Sequence, residues 1–289
     1  MDVKSIVMGL TFALIWSSAF TSARVIVTHA PPFAASAVRF FIAGVIGVLI
    51  ARALGQSWRL TRDQWRATLT FGLCQNAIYL GLNFYAMQTI EASLASIIAS
   101  TLPLLVAAAG WALFRDRLPA LAVAGLALGI GGVVLIMGAR LSAGIDVVGV
   151  ALCAVGAIAL TIATLSMRTL SSGGNLMMVV GLQMFVGAAV LGVASLATET
   201  WQVTVTPAFV AAFAYTVFFP GLLATWIWFS LVERIGPTKA ATFHFLNPFF
   251  GVAIAATLLG ERLGPQDIIG VVIIAAGILA VQVSRQPKT

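Results

Sequence analysis

Runs of roughly 20 apolar residues, the length that spans a bilayer as a helix, follow one another along this chain with short polar or turn-forming breaks between them. They predict ten helices near 4–25, 34–53, 66–88, 92–113, 119–138, 147–168, 175–197, 208–231, 239–259 and 265–284. The breaks carry Pro31-Pro32, the stretch Arg59 to Arg66, Arg115-Asp116-Arg117, Ser171-Ser172-Gly173-Gly174, Pro207, Gly236-Pro237 and Gly264-Pro265. The first run, with Lys4 ahead of it and small residues from Ser18 to Ala23, has some features of a signal peptide. Its length is that of a full span and it opens a series of similar runs, so it reads as the first helix. The pattern predicts an all-α integral membrane protein with ten transmembrane helices.

Composition agrees: 61% of the 289 residues are hydrophobic and only 9% charged, too few to clothe a soluble surface. The net charge of +7 becomes informative once it is sorted by loop. Lys4, Arg52, Arg59, Arg62, Arg66, Arg115, Arg117, Arg168, Arg234, Lys239, Arg285 and Lys288 fall on the side of the N-terminus. Arg24, Arg39, Arg140 and Arg262 fall on the other. Twelve against four predicts that both termini face the cytoplasm across the inner (plasma) membrane. The excess of positive charge is thereby accounted for without nucleic acid. Cys74 and Cys153 both lie in apolar runs and read as small core residues.

The chain also repeats itself. At a constant offset of 145, Phe84 meets Phe229, Ile90 Ile235, Ala95 Ala240, Pro103 Pro248, Asp116 Glu261, Arg117 Arg262, Leu118 Leu263, Gly125 Gly270 and Gly132 Gly277. Two halves follow, residues 1–139 and 146–285, of five helices each. Five is odd, so the second half enters the membrane from the opposite face. Inverted repeats of this kind belong to transporters that alternate between two related states around a site near the midplane.

The sequence resembles the drug/metabolite transporter superfamily, in its EamA-type branch of ten-helix exporters. Four features carry the resemblance: Trp16-Ser17-Ser18-Ala19-Phe20, Arg39-Phe40, and the segments Pro103 to Leu118 and Pro248 to Leu263. Asp116 departs from the family's usual Glu, which Glu261 keeps. The resemblance implies export of small metabolites, often amino acids, from a central cavity; the aromatic amino acid exporters are the branch it points towards. Other small metabolites or drugs remain an alternative.

Polar residues at membrane depth are costly and so are either satisfied locally or functional. Gln75, Asn76, Tyr79 and Asn83 form a dense cluster in the third run, and helical spacing puts Asn76, Tyr79 and Asn83 on one face. They read either as interhelical hydrogen-bonding groups or as a cavity wall, where amides can hold a zwitterion without burying a charge. His244, one turn before Asn247-Pro248, is either a hydrogen-bonding partner or a substrate contact and proton sensor. Trp16 and Ser17 sit at mid-span, on a cavity wall or in the packing core. Pro103 and Pro248 bend two helices at matched positions, as static kinks or as hinges. The aromatics Phe218, Phe219, Trp226, Trp228, Phe243 and Phe245 read first as packing or lipid contact; any that face a cavity favour apolar or aromatic amino acids.

All nine acids (Asp2, Asp63, Glu91, Asp116, Asp146, Glu199, Glu233, Glu261 and Asp267) fall in breaks or at helix ends. No intramembrane carboxylate is therefore expected to carry a proton, and solute either runs down its own gradient or couples weakly through His244. With His29 and His244 the only histidines, neither paired aspartates nor a metal site is available to an intramembrane protease, and no cofactor motif occurs. A channel would need a filter motif or a charged ring, and neither is visible; a non-transporting scaffold or an intramembrane enzyme stays a remote alternative. The expected partners are a small-molecule substrate and the lipid bilayer, and one chain suffices for a complete pathway.

Overall fold

A computed structural model describes residues 2–115, 119–142, 144–167 and 173–284. Asp116, Arg117, Leu118, Arg168, Ser171, Ser172, Arg285 and Lys288 lie outside the described residues, as do the side chains of Arg140 and Phe245. The described chain runs through ten helical segments. They are α1 (Val3–Val27), α2 (Pro32–Ala53), α3 (62–86), α4 (92–114, interrupted at Ser100–Thr101), α5 (Ala120–Ser142), α6 (Val147–Ser166), α7 (Leu176–Thr198), α8 (207–235), α9 (237–259) and α10 (Pro265–Ser284). Among them eight are long and apolar enough to cross a membrane, and Pro265–Val281 of α10 is a shorter apolar helix. The remaining one, α3, opens with Arg62, Asp63 and Arg66 and carries Gln75, Asn76 and Asn83, which is why it is less apolar.

Capping chemistry sets the helix starts. Asp2, Thr61, Asp146 and Thr206 precede α1, α3, α6 and α8, and each side chain accepts a hydrogen bond from a main-chain N–H of the first turn. Pro32, Pro207 and Pro265 stand at the first helical positions, where a missing N–H costs nothing.

The repeat extends to the backbone. Helical segments begin at Arg62 and Pro207, Gly72 and Val217, Ala92 and Pro237, Leu102 and Asn247, and Ala120 and Pro265, each pair 145 residues apart. Arg115 and Gly260, again 145 apart, both end their helices in the left-handed region at φ 56° and 67°. Glycine takes that conformation freely; Arg115 is the one non-glycine residue at positive φ among those described. Both α3 and α8 wind as π-helix through their middles, at Gly72–Leu80 and Val217–Ala224.

The halves are interleaved and opposed. At one face Asp2, ahead of α1, pairs with Arg234 at the end of α8. Its counterpart Asp146, ahead of α6, accepts from Thr89 Oγ1 at the other face, 2.6 Å away. α1 packs on α8 and α9, and α6 correspondingly on α3 and α4, while α2–α7, α4–α9 and α5–α10 pair across the pseudosymmetry. Leu49, Phe41, Ile130, Val193 and Leu196 point outward with more than half of each side chain exposed, as a lipid-facing belt requires.

Candidate functional site

A cavity lies where α1, α2, α3, α7 and α8 converge. Trp16, Phe20 and Ala23 of α1, Arg39 and Phe40 of α2, and Asn76, Tyr79, Asn83 and Phe84 of α3 line it, with Met184 from α7 and Thr216, Pro220, Gly221 and Thr225 from α8. Its empty space is about 470 Å³, but only about 20 Å³ is wide enough for the centre of a water molecule. That is room for about one water. This conformation is constricted.

The two π windings build much of the wall, contributing Asn76, Tyr79 and Leu80 from one half and Pro220 and Gly221 from the other. Such windings are rare and concentrate at functional sites. Trp16 and Tyr79 stack nearly parallel, with ring centroids 6.3 Å apart and planes 6° from parallel. The Asn76 amide nitrogen donates to the main-chain oxygen and to Oε1 of Gln183 on α7, at 3.0 and 2.7 Å. The Asn83 amide nitrogen donates to the Tyr79 carbonyl at 2.8 Å. Both amide oxygens, Asn76 Oδ1 and Asn83 Oδ1, are buried with no hydrogen-bond partner.

Of the residues expected from sequence, Trp16, Asn76, Tyr79 and Asn83 thus meet on one cavity. Ser17, His244 and Asn247 assemble separately, in a cluster that meets Trp16 through the His244 ring. Ser17 donates to Asn247 Oδ1 at 3.1 Å, and the Asn247 amide lies 2.9 Å from His244 Nδ1. The imidazole is enclosed edge-on by the rings of Phe12, Trp228 and Trp16, at centroid distances of 5.2, 5.2 and 6.0 Å. It does not line the cavity in this conformation. Gln75 is buried with its amide nitrogen unpartnered and is likewise absent from the lining. Phe12, which packs on His244, is fully buried, as are Phe71 and Phe229, whose rings meet at 4.7 Å. Pro103 and Pro248 each occupy the second position of a helical segment, just after the break in α4 and the 3-10 turn Thr242–Leu246 of α9.

One expectation is corrected. Charge sorting placed Arg39 with the loop cations of the opposite face, yet its side chain is only 3% exposed. α2 begins at Pro32, so Arg39 falls two turns inside the helix, about 10 Å from its start. There it borders the cavity, beside the amides and rings expected on its wall. Thr216, Thr225 and Met184 also line the cavity; as isolated residues of apolar runs they leave no signal in the sequence.

Ten helical segments, eight of them long and apolar enough to cross a membrane, arranged as two opposed halves around a buried, partly polar cavity, are the architecture of a multi-pass membrane transporter. Residues 3–138 and 147–282 each match the EamA-like transporter family, to which the chain belongs. Three relatives align over most of their own length and of this chain. One is a Bacillus subtilis protein named as the uncharacterized transporter YvbV, 24% identical, with 95% of this chain and 90% of that protein aligned. The inner membrane transporter YedA of Escherichia coli, also named as uncharacterized, is 26% identical over 94% of this chain and 87% of its own. A Salmonella typhimurium protein named a probable amino-acid metabolite efflux pump is 24% identical over 96% and 94%. A solved crystal structure 20% identical to this chain covers all of both chains with a TM-score of 0.73, which shows the same fold.

Proposed function

We propose that this transporter exports small metabolites, amino acids with apolar or aromatic side chains foremost, by alternating access around the central cavity. The observation that carries the reading is the lining. The Trp16, Tyr79, Phe40 and Phe84 rings provide apolar walls, and two amide oxygens from α3 provide polar ones. The name of the Salmonella relative is in keeping with it.

In this reading Trp16, Asn76, Tyr79 and Asn83 contact the solute in the conformation described. Ser17, Gln75, His244 and Asn247 belong to the continuation of the path, reached when the cavity opens past Trp16. Pro103 and Pro248 act as hinges, one for each gate, supported by the matched helix breaks beside them. Residues 1–139 and 146–285 form the two rocking units. Both termini face the cytoplasm of the inner membrane, on the strength of the positive-charge asymmetry, and one chain completes the pathway.

The test is counterflow of each of the twenty amino acids into proteoliposomes of purified protein. Accumulation of apolar or aromatic amino acids above empty liposomes is expected. No signal for any of the twenty would overturn the amino acid assignment and leave other metabolites.

A further inference from the structure

Arg39 is the one charged side chain on the cavity among the described residues, and nothing negative faces it. Its guanidinium carbon lies 4.0 Å from the Phe40 ring centroid and 4.4 Å from that of Phe84. The rings soften the cost of the buried charge but accept no hydrogen bond of carboxylate strength. Nε and Nη2 are both buried with no partner. These two nitrogens form the side edge of the guanidinium, whose parallel N–H bonds match the two oxygens of a carboxylate. A cation kept at membrane depth without a counter-ion calls for a functional account, because an uncharged residue would be cheaper to bury.

Two other lining residues are complementary. The nitrogens of Asn76 and Asn83 are engaged within the protein, so the amides present oxygens to the cavity, and both oxygens lack donors. Uncommitted donors and uncommitted acceptors thus border one apolar space.

Resting on the amino acid reading above, we infer that Arg39 is the carboxylate anchor of the transport site and that Asn76 and Asn83 accept from the α-ammonium group. The site then takes a zwitterionic α-amino acid with an uncharged, apolar side chain. It rejects amines and amides that lack the carboxylate. The cavity must widen to admit such a solute, and the Arg39 charge, unpaired in the constricted state, is what the solute neutralises.

Four compounds with one phenylethyl skeleton test this on the intact wild-type protein in detergent: L-phenylalanine, 3-phenylpropionate, L-phenylalaninamide and phenethylamine. The readout is the concentration at which each raises the melting temperature. L-Phenylalanine acts at the lowest concentration and 3-phenylpropionate follows. The amide and the amine need at least ~10-fold more than L-phenylalanine, the usual penalty for losing a charge-assisted pair. In Arg39→Gln the ratio between acid and amide falls to about one, and Arg39→Lys, which keeps the charge but not the fork, lies between. The anchor is refuted if the amide matches the acid on wild type, if neither carboxylate acts, or if Arg39→Gln keeps the ratio. Should Arg39→Gln fail to fold, the wild-type comparison decides alone. Carboxylate-dependent binding without counterflow of any amino acid would sink the export reading and leave the anchor standing.

Discussion

Replacing Gly277 with alanine separates close helix packing from helix propensity. The α5–α10 pair meets through glycines in two copies of one contact, Gly125 against Gly277 and Gly132 against Gly270, related by the 145-residue repeat. A Cβ on Gly277 would stand 2.6 Å from the Gly125 carbonyl oxygen and 2.6 Å from the Gly129 nitrogen. Both obstacles are backbone and cannot rotate away, so the helices must part by roughly 0.5–1 Å, forfeiting a quarter to a half of the dispersion attraction along the seam. Overpacking of this kind costs about 1–3 kcal/mol. The better helix propensity of alanine returns up to about 1 kcal/mol. The net expectation for Gly277→Ala is a loss of about 1–2 kcal/mol, or roughly 2–4 °C of melting temperature for each. Gly131 sits in the same helix α5 with nothing within 4 Å of its would-be Cβ, so Gly131→Ala gains propensity without a clash. Thermal melting followed by size-exclusion chromatography in detergent reads both variants. Opposite signs are predicted, and a Gly277→Ala protein as stable as Gly131→Ala would refute the packing argument.

Three further outcomes follow from the same structure. The Glu261 carboxylate accepts from the main-chain N–H groups of Ala92 and Ser93 at 2.8 and 3.0 Å, capping α4 from the other half. Glu261→Ala should lower stability by about 1–2 kcal/mol, and an unchanged melting curve would show that solvent caps this end equally well. Asp2 is held well below its ordinary value of 3.8, first by the hydrogen bond from Arg234 and then by that from Ser5. A lowered folded-state pKa stabilises above the unfolded value and loses its effect as pH falls through the folded one. The melting difference between wild type and Asp2→Asn should therefore be flat from about pH 8 to pH 5 and shrink only below 3.8. Asn76→Leu removes both bonds to Gln183 and strands its carbonyl side in the bundle. A loss of about 1–2 kcal/mol is expected, and a melt at or above wild type would contradict it.

The helix ends are legible in the chain because they are written in local chemistry: Asp2, Thr61, Asp146 and Thr206 as caps, Pro32, Pro207 and Pro265 as first residues. The repeat is legible because its register never slips between α3 and α10. What the chain does not announce is winding. Nothing in the composition of Gly72–Leu80 marks it as π-helix, yet the face that helical spacing gives to Asn76, Tyr79 and Asn83, without Gln75, is the one that lines the cavity. The 3-10 turn Thr242–Leu246 is equally unannounced, and it carries a His244 ring that packs edge-on to Trp16 and does not line the cavity. Arg39 escapes a count of charges by loop because such a count treats every cation near a helix end as hydrated. Depth depends on where the helix starts, and here Pro32 starts it early.

The paired π windings have a mechanical consequence. Each holds a residue of slack, and moving that slack along the helix by one position would turn the segment it passes by roughly 100° and advance it about 1.5 Å. In α3 this screw would carry the Tyr79 ring off the Trp16 face it now covers. The same thread is cut into α8 at Val217–Ala224, in the half that enters from the opposite side. In the alternating-access reading proposed above, turning one and then the other would open a single compartment from alternate ends, with α3 and α8 still anchored by their caps at Thr61 and Thr206.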